Sequence, residues 1–99
     1  MEREIEEVTM GYSLETANKL LTAIEVLSTS SGSMESRAFK ASQCLIGIKA
    51  EEFEDGPRTF WSYIEENSKS VREQTATESV VTKYVSSIWQ LFEACRPKH

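Results

Sequence analysis

Few side chains in this chain of 99 residues are suited to acid–base, nucleophilic or metal chemistry. The one histidine, His99, is the last residue, and a terminal side chain is rarely held rigidly enough for catalysis. Its spacing from Cys95 resembles half of a zinc site, but a complete site would need Cys44 and an acidic group as well. Cys95 also falls on an apolar helical face, so we interpret it as a small buried hydrophobe.

Carboxylates are concentrated in the run EEFEDG, at Glu51, Glu52, Glu54 and Asp55. This run lacks the alternating oxygen ligands of an EF-hand loop. We expect it at the C-terminal end of a helix, where negative charge is unfavourable. Because such a run would destabilise its own helix, its presence favours a role in binding. The alternative is that the run is a solvated turn without a binding role.

Aromatic residues follow this run in the sequence TFWSY. Phe60, Trp61 and Tyr63 point in different directions on a helix, so Trp61 or Tyr63 should lie partly exposed. Because Trp and Tyr are enriched at binding hot spots, we predict a partner-binding site made of Trp61, Tyr63, Glu51, Glu52, Glu54 and Asp55. The alternative is an aromatic cap over one end of the fold.

No short catalytic motif accompanies these residues. The sequence has no Gly-rich phosphate loop, no GxSxG elbow and no HExxH helix. We therefore predict that the protein is not an enzyme and has no catalytic residues, no metal ligands and no cofactor.

Composition indicates one soluble helical domain spanning residues 1–99. Apolar residues make up 39% and charged residues 27%, and only 4 Gly and 2 Pro are available for turns. No run of about 18 apolar residues predicts a membrane span. The acidic start, MEREIEEV, differs from a signal peptide, so we expect a cytoplasmic protein with reduced cysteines.

The net charge of −5 is distributed unevenly. Residues 1–27 and 51–66 are acidic, whereas the chain from Asn67 onward is mildly positive. An acidic chain without a dense basic patch is a poor nucleic-acid binder. The polarised charge suits a partner protein with a basic surface or head-to-tail self-association, and solubility alone is the simpler explanation.

The last helix, predicted at about 76–95, has an unusually wide apolar side despite its β-branched residues. On a helical wheel its apolar positions cover roughly 180°. They are Val80, Val81, Tyr84, Val85, Ile88, Trp89, Leu91, Phe92 and Cys95. Thr75 and Glu78 have the spacing of a capping box, and Pro97 follows the helix.

Three further amphipathic helices are predicted at about 13–28, 34–54 and 58–73. Ser13 and Ser33 are plausible N-caps for the first two. The second shows a seam of apolar residues and stops at the Asp-Gly-Pro sequence of residues 55–57. An additional short helix is possible within residues 2–10.

These elements predict an all-α fold, a compact antiparallel bundle of four main helices. A bundle helix needs an apolar stripe of little more than about 100°. The wider side of the last helix makes it either the central helix or part of an interface between chains. In the second case Tyr84, Trp89 and Phe92 would mediate self-association, as in a homodimer.

By elimination, we predict a small acidic non-enzymatic protein-binding module. It would inhibit, neutralise or regulate a protein partner, in the manner of an immunity protein, an antitoxin or a phage inhibitor. A structural or assembly subunit that acts by homo-oligomerisation is the second hypothesis, and a small metal-dependent enzyme is the third. Neither nucleic acid nor a membrane is an expected partner.

Overall fold

The computed structural model describes residues 14–29 and 31–95, in which all regular structure is helical. The α-helices are α1 (Leu14–Thr29), α2 (Met34–Cys44), α3 (Asp55–Arg72) and α4 (Glu78–Cys95), and a 3-10 helix, Ala50–Glu52, lies between α2 and α3. The four α-helices pack against one another in a compact globule. This confirms the predicted all-α bundle, and the antiparallel arrangement stays a prediction.

Several sequence-based expectations fall outside the described residues. These are the Ser13 N-cap, the short helix within residues 2–10, the role of Pro97 and the contribution of His99. Within the described residues, none of the helices combines the length and the apolar character needed to cross a bilayer.

The core is built from aliphatic side chains and small residues. Ala23, Ala38, Ala41 and Ser42 are completely buried. These small side chains lie on α1 and α2, which pack directly against each other. Larger side chains fill the remaining space, and they include Leu20, Ile64, Tyr84, Ile88 and Leu91.

The last helix, α4, packs against each of the other three α-helices. The neighbouring helices cover part of its predicted apolar side, while Trp89 on the same side stays exposed. Because α2 also packs against the other three α-helices, the width of this apolar side is not explained by position alone. Val81, Tyr84, Ile88 and Leu91 are buried. Thr77 rather than Thr75 caps this helix, because the Thr77 hydroxyl accepts a hydrogen bond from the Val80 N–H at 3.3 Å.

The predicted second helix was too long. Its start is confirmed, since the Ser33 hydroxyl accepts a hydrogen bond from the Ser36 N–H at 3.1 Å. The helix ends at Cys44 instead of continuing to residue 54, and Gly47 adopts a left-handed φ of 95° in the turn that follows. A left-handed glycine shortly after a helix is a common way for the helix to end.

The Asp-Gly-Pro sequence begins a helix instead of ending one. Asp55 is the first residue of α3, and Pro57 lies in its first turn, where the missing N–H removes no helical hydrogen bond. The acidic run therefore precedes the N-terminus of α3, where negative charge is favourable. The expectation that the run weakens its own helix was wrong, and so was the support this lent to a binding role.

Candidate protein-binding surface

Residues 51–55, here called the acidic turn, run from within the 3-10 helix to the first residue of α3, and they are anchored by one apolar side chain. Phe53 is only 3% exposed, and its ring lies against Trp61 with a centroid separation of 5.7 Å and an angle of 38° between the rings. Burying Phe53 fixes the position of the residues on either side of it.

Polar contacts hold the acidic turn at two further points. The Nε and Nη2 groups of Arg58 donate hydrogen bonds to the Phe53 carbonyl oxygen at 3.2 and 2.9 Å. The Thr16 hydroxyl on α1 donates a hydrogen bond to the Glu52 carboxylate. Glu52 is therefore engaged within the molecule, although it was predicted as a partner-binding residue.

Three carboxylates of the acidic turn face solvent, those of Glu51, Glu54 and Asp55. Among the described residues, no basic side chain forms an ion pair with any of them. Because Arg58 directs its two donors to the Phe53 carbonyl oxygen, the turn presents its negative charges on a fixed backbone.

The acidic turn lies near the C-terminal end of α4. The pKa of the Cys95 thiol is raised to about 11, mainly because the thiol is partly buried and also because Glu54 places a negative charge nearby. Burial also raises the pKa of Cys44. Both thiols are therefore largely protonated at neutral pH, which makes them poor nucleophiles.

Trp61 belongs to the core. It is 3% exposed, and its indole N–H has no hydrogen-bond acceptor among the described residues. Trp61 therefore does not belong to the predicted partner-binding site. It packs against Phe53 of the acidic turn instead.

Tyr63 is half-buried and lies apart from the acidic turn. It follows Asp55 by eight residues, which corresponds to about 12 Å along the helix axis. The ammonium group of Lys83 lies 4.6 Å from the centre of its ring, a cation–π contact between α3 and α4. One face of the ring is thus already covered, and Tyr63 can reach a partner only through its remaining exposed area.

The residues predicted for self-association separate into buried and exposed ones. Tyr84 is 0% exposed, with its hydroxyl 2.8 Å from the Ser68 hydroxyl, so the prediction that it faces another chain was wrong. Desolvation raises the pKa of Tyr84, although Ser68, Arg72 and Ser42 act in the opposite direction. Trp89 is 38% exposed and Phe92 is half-buried, so part of each side chain remains accessible to another chain.

Two further observations bear on function, the geometry of potential metal ligands and the likeness to known proteins. In the part of the chain that the structure describes, no group of three or more His, Cys, Asp and Glu side chains is arranged to hold a metal ion. Comparisons of the chain with protein-family models, with curated proteins and with solved structures return no match.

Proposed function

We propose that this protein is a non-enzymatic binding module that inhibits, neutralises or regulates a protein partner, and that the acidic turn contacts a basic surface on that partner. One observation carries the proposal. Glu51, Glu54 and Asp55 project from a turn that is fixed by Phe53 and Arg58, and their charges have no ion-pair partner in the described structure.

The anchoring of the turn matters because a flexible acidic loop would lose conformational entropy on binding. A loop that is already ordered avoids much of this cost, so more of the electrostatic attraction appears as affinity. Exposed charges of one sign also increase the rate of encounter with an oppositely charged partner, and salt reduces this increase.

The proposal is tested by affinity capture from cell extract at low salt with three forms of the full chain. The first is wild type, and the second carries Glu51→Gln, Glu54→Gln and Asp55→Asn. The third is a matched control with Glu25→Gln, Glu35→Gln and Glu73→Gln, which removes the same charge from exposed positions elsewhere. Glu35 lies in the first turn of α2, as Asp55 does in α3. The acidic-turn variant also removes the Glu54 charge at the N-cap of α3, and the control removes the Glu73 charge at the C-cap of the same helix, so the stability of each variant is measured alongside.

We expect wild type and the control to capture the same protein, and the acidic-turn variant to lose it. Equal capture by both triple variants would show that net charge or another surface is responsible. Circular dichroism of each variant checks that the helices are intact.

A further inference from the structure

A small, partly enclosed pocket lies where α3 ends and α4 begins. Its volume is about 100 Å³, and the residues that line it include Glu35, Val71, Gln74, Ala76 and Val81. Val71 and Val81 are buried and Ala76 is half-buried, whereas Glu35 and Gln74 are exposed. The pocket thus has an apolar interior and a polar rim. It is smaller than the sites of drug-sized ligands, so it suits a ligand of only a few heavy atoms.

The backbone at Gln74 adopts an unusual conformation beside this pocket. Its φ of 62° is left-handed, and no other non-glycine residue in the described part of the chain has a positive φ. The Gln74 N–H donates a hydrogen bond to the Val71 carbonyl oxygen at 3.1 Å. The Thr75 N–H donates one to the Ser70 carbonyl oxygen at 2.9 Å. This is the Schellman arrangement, in which glycine usually occupies the left-handed position because a side chain is disfavoured there.

A glutamine at a position suited to glycine indicates a role for its side chain. Unfavourable backbone conformations are found most often at binding and catalytic sites, where they place a particular side chain. The conformation of Gln74 places its side chain at the pocket. None of the other described residues forms a hydrogen bond with its amide, which is therefore available to a ligand.

The charge around the pocket is negative. Glu35, in the first turn of α2, forms no ion pair with any described residue. Residues 73–78, which connect α3 to α4, carry Glu73 and Glu78 and no basic residue. Arg72 precedes this connection, and its charge acts on a tyrosine hydroxyl in the core. A small cation with a short apolar chain matches this lining, because carboxylates attract its charge and the buried valines contact its chain.

We infer that this pocket binds a primary alkylammonium ion. The ammonium group, which has three donors and no acceptor, donates hydrogen bonds to the Glu35 carboxylate and to the Gln74 amide oxygen. The alkyl chain contacts Val71, Ala76 and Val81. This site does not depend on the proposed function, because none of its residues belongs to the acidic turn.

Propylammonium chloride is the probe, because its short chain suits the volume of the pocket. The amide chemical shifts of the full chain are followed by heteronuclear NMR up to about 100 mM probe, with NaCl keeping the ionic strength constant. We expect saturable shifts at the residues that line the pocket, with a dissociation constant of about 1–20 mM, since so few atoms provide little binding free energy. The uncharged counterpart n-propanol should bind about 3-fold or more weakly.

Two variants and a matched control test the polar rim. Glu35→Gln should raise the dissociation constant of propylammonium about 3-fold or more. Glu66→Gln removes an exposed charge of α3 outside the pocket and should leave the dissociation constant unchanged. Gln74→Gly should also weaken binding, yet it should raise the urea midpoint of unfolding, because glycine favours the left-handed conformation. These opposite changes separate a role in binding from a role in the fold.

An absence of saturable shifts at the pocket would overturn the inference. So would equal binding of n-propanol and propylammonium, or equal effects of Glu35→Gln and Glu66→Gln. A Gln74→Gly variant that binds the probe as tightly as wild type would also overturn it.

Discussion

The acidic turn and the buried hydroxyl cluster, which consists of Tyr84, Ser68 and Ser42, differ in what their polar groups bind. In the acidic turn, the Phe53 carbonyl oxygen accepts hydrogen bonds from the side chain of Arg58, five residues further along the chain. In the cluster, the Ser68 hydroxyl donates to the Ile64 carbonyl oxygen of its own helix at 2.7 Å, and it also contacts the Tyr84 hydroxyl. The first arrangement uses a side chain as donor, whereas in the second the Ser68 hydroxyl keeps its backbone acceptor even if Tyr84 is removed.

The largest effect is expected where the acidic turn meets the core. Phe53→Ala should lower the free energy of unfolding by about 3–5 kcal/mol, because it leaves a cavity against Trp61. Urea unfolding followed by circular dichroism measures this change. A loss below about 1 kcal/mol would mean that Phe53 is not an anchor, since large-to-small changes in a packed core cost more than that.

A smaller loss is expected when the donors to the Phe53 carbonyl oxygen are removed. Arg58→Met should lower the free energy of unfolding by about 1–2 kcal/mol. The loss of a fully buried charged hydrogen bond would cost more, but Arg58 is exposed, so water can replace part of the interaction. Arg58→Lys, which keeps the charge but not the planar fork, should fall between wild type and Arg58→Met. Equal stability of wild type, Arg58→Met and Arg58→Lys would show that Arg58 does not hold the turn in place.

The hydroxyl cluster should tolerate the corresponding change. Tyr84→Phe should alter the free energy of unfolding by less than about 1 kcal/mol, because Ser68 and Ser42 still donate to carbonyl oxygens of their own helices. Tyr84→Ala, which also removes the packing of the ring, should lower the free energy of unfolding by about 3–5 kcal/mol and serves as the comparison. If Tyr84→Phe were as damaging as Tyr84→Ala, the contrast between the two regions would be lost.

The smallest effect concerns the position of the acidic turn beside α4. Removing the charge in Glu54→Gln should lower the pKa of Cys95 from its value of about 11, since Glu54 contributes to raising it. The pH dependence of Cys95 alkylation by iodoacetamide, followed by mass spectrometry, measures this pKa. Glu51→Gln is the control and should change it less. An identical alkylation profile for wild type and Glu54→Gln would show that Glu54 does not act on the thiol.

The raised pKa of Cys95 also fixes the sign of a pH effect on stability. In the unfolded chain the thiol has its ordinary value of 9.0, below the value in the folded protein. The unfolded state therefore loses its proton first as the pH rises. The contribution of Cys95 to stability is complete below pH 9.0 and decreases as the pH rises toward about 11.

The helical class and the last helix, α4, were predictable because their signal is local. The apolar positions of α4 repeat through the whole helix, and burial of such a face outweighs the weak helix propensity of its β-branched residues. The same reasoning failed in residues 34–54, because the apolar spacing continues past Cys44 by coincidence. Gly47 was the available sign that the helix stops, and it was read as an interior residue.

Of the predicted partner-binding residues, the carboxylates could be recognised from their clustering in the sequence, and their role in binding stays a prediction. The arrangement around them could not be recognised, since Trp61 proves to be buried and Tyr63 lies apart from the acidic turn. The support of the carboxylates comes from pairs that are distant in sequence, such as Thr16 with Glu52, and helical periodicity carries no information about these contacts. Helical periodicity also gave no sign of the contact between Trp61 and Phe53, since Phe53 lies outside any α-helix.

The central claim, that the acidic turn contacts a basic protein surface, is tested most directly by the association rate constant with the captured partner. This rate should be measured at low and at physiological ionic strength for wild type, for the acidic-turn triple variant and for its matched control. We predict that wild type and the control associate quickly at low salt and slow down as salt increases, while the acidic-turn variant is slow at both. Equal rates and equal salt dependence for the two triple variants would contradict the claim.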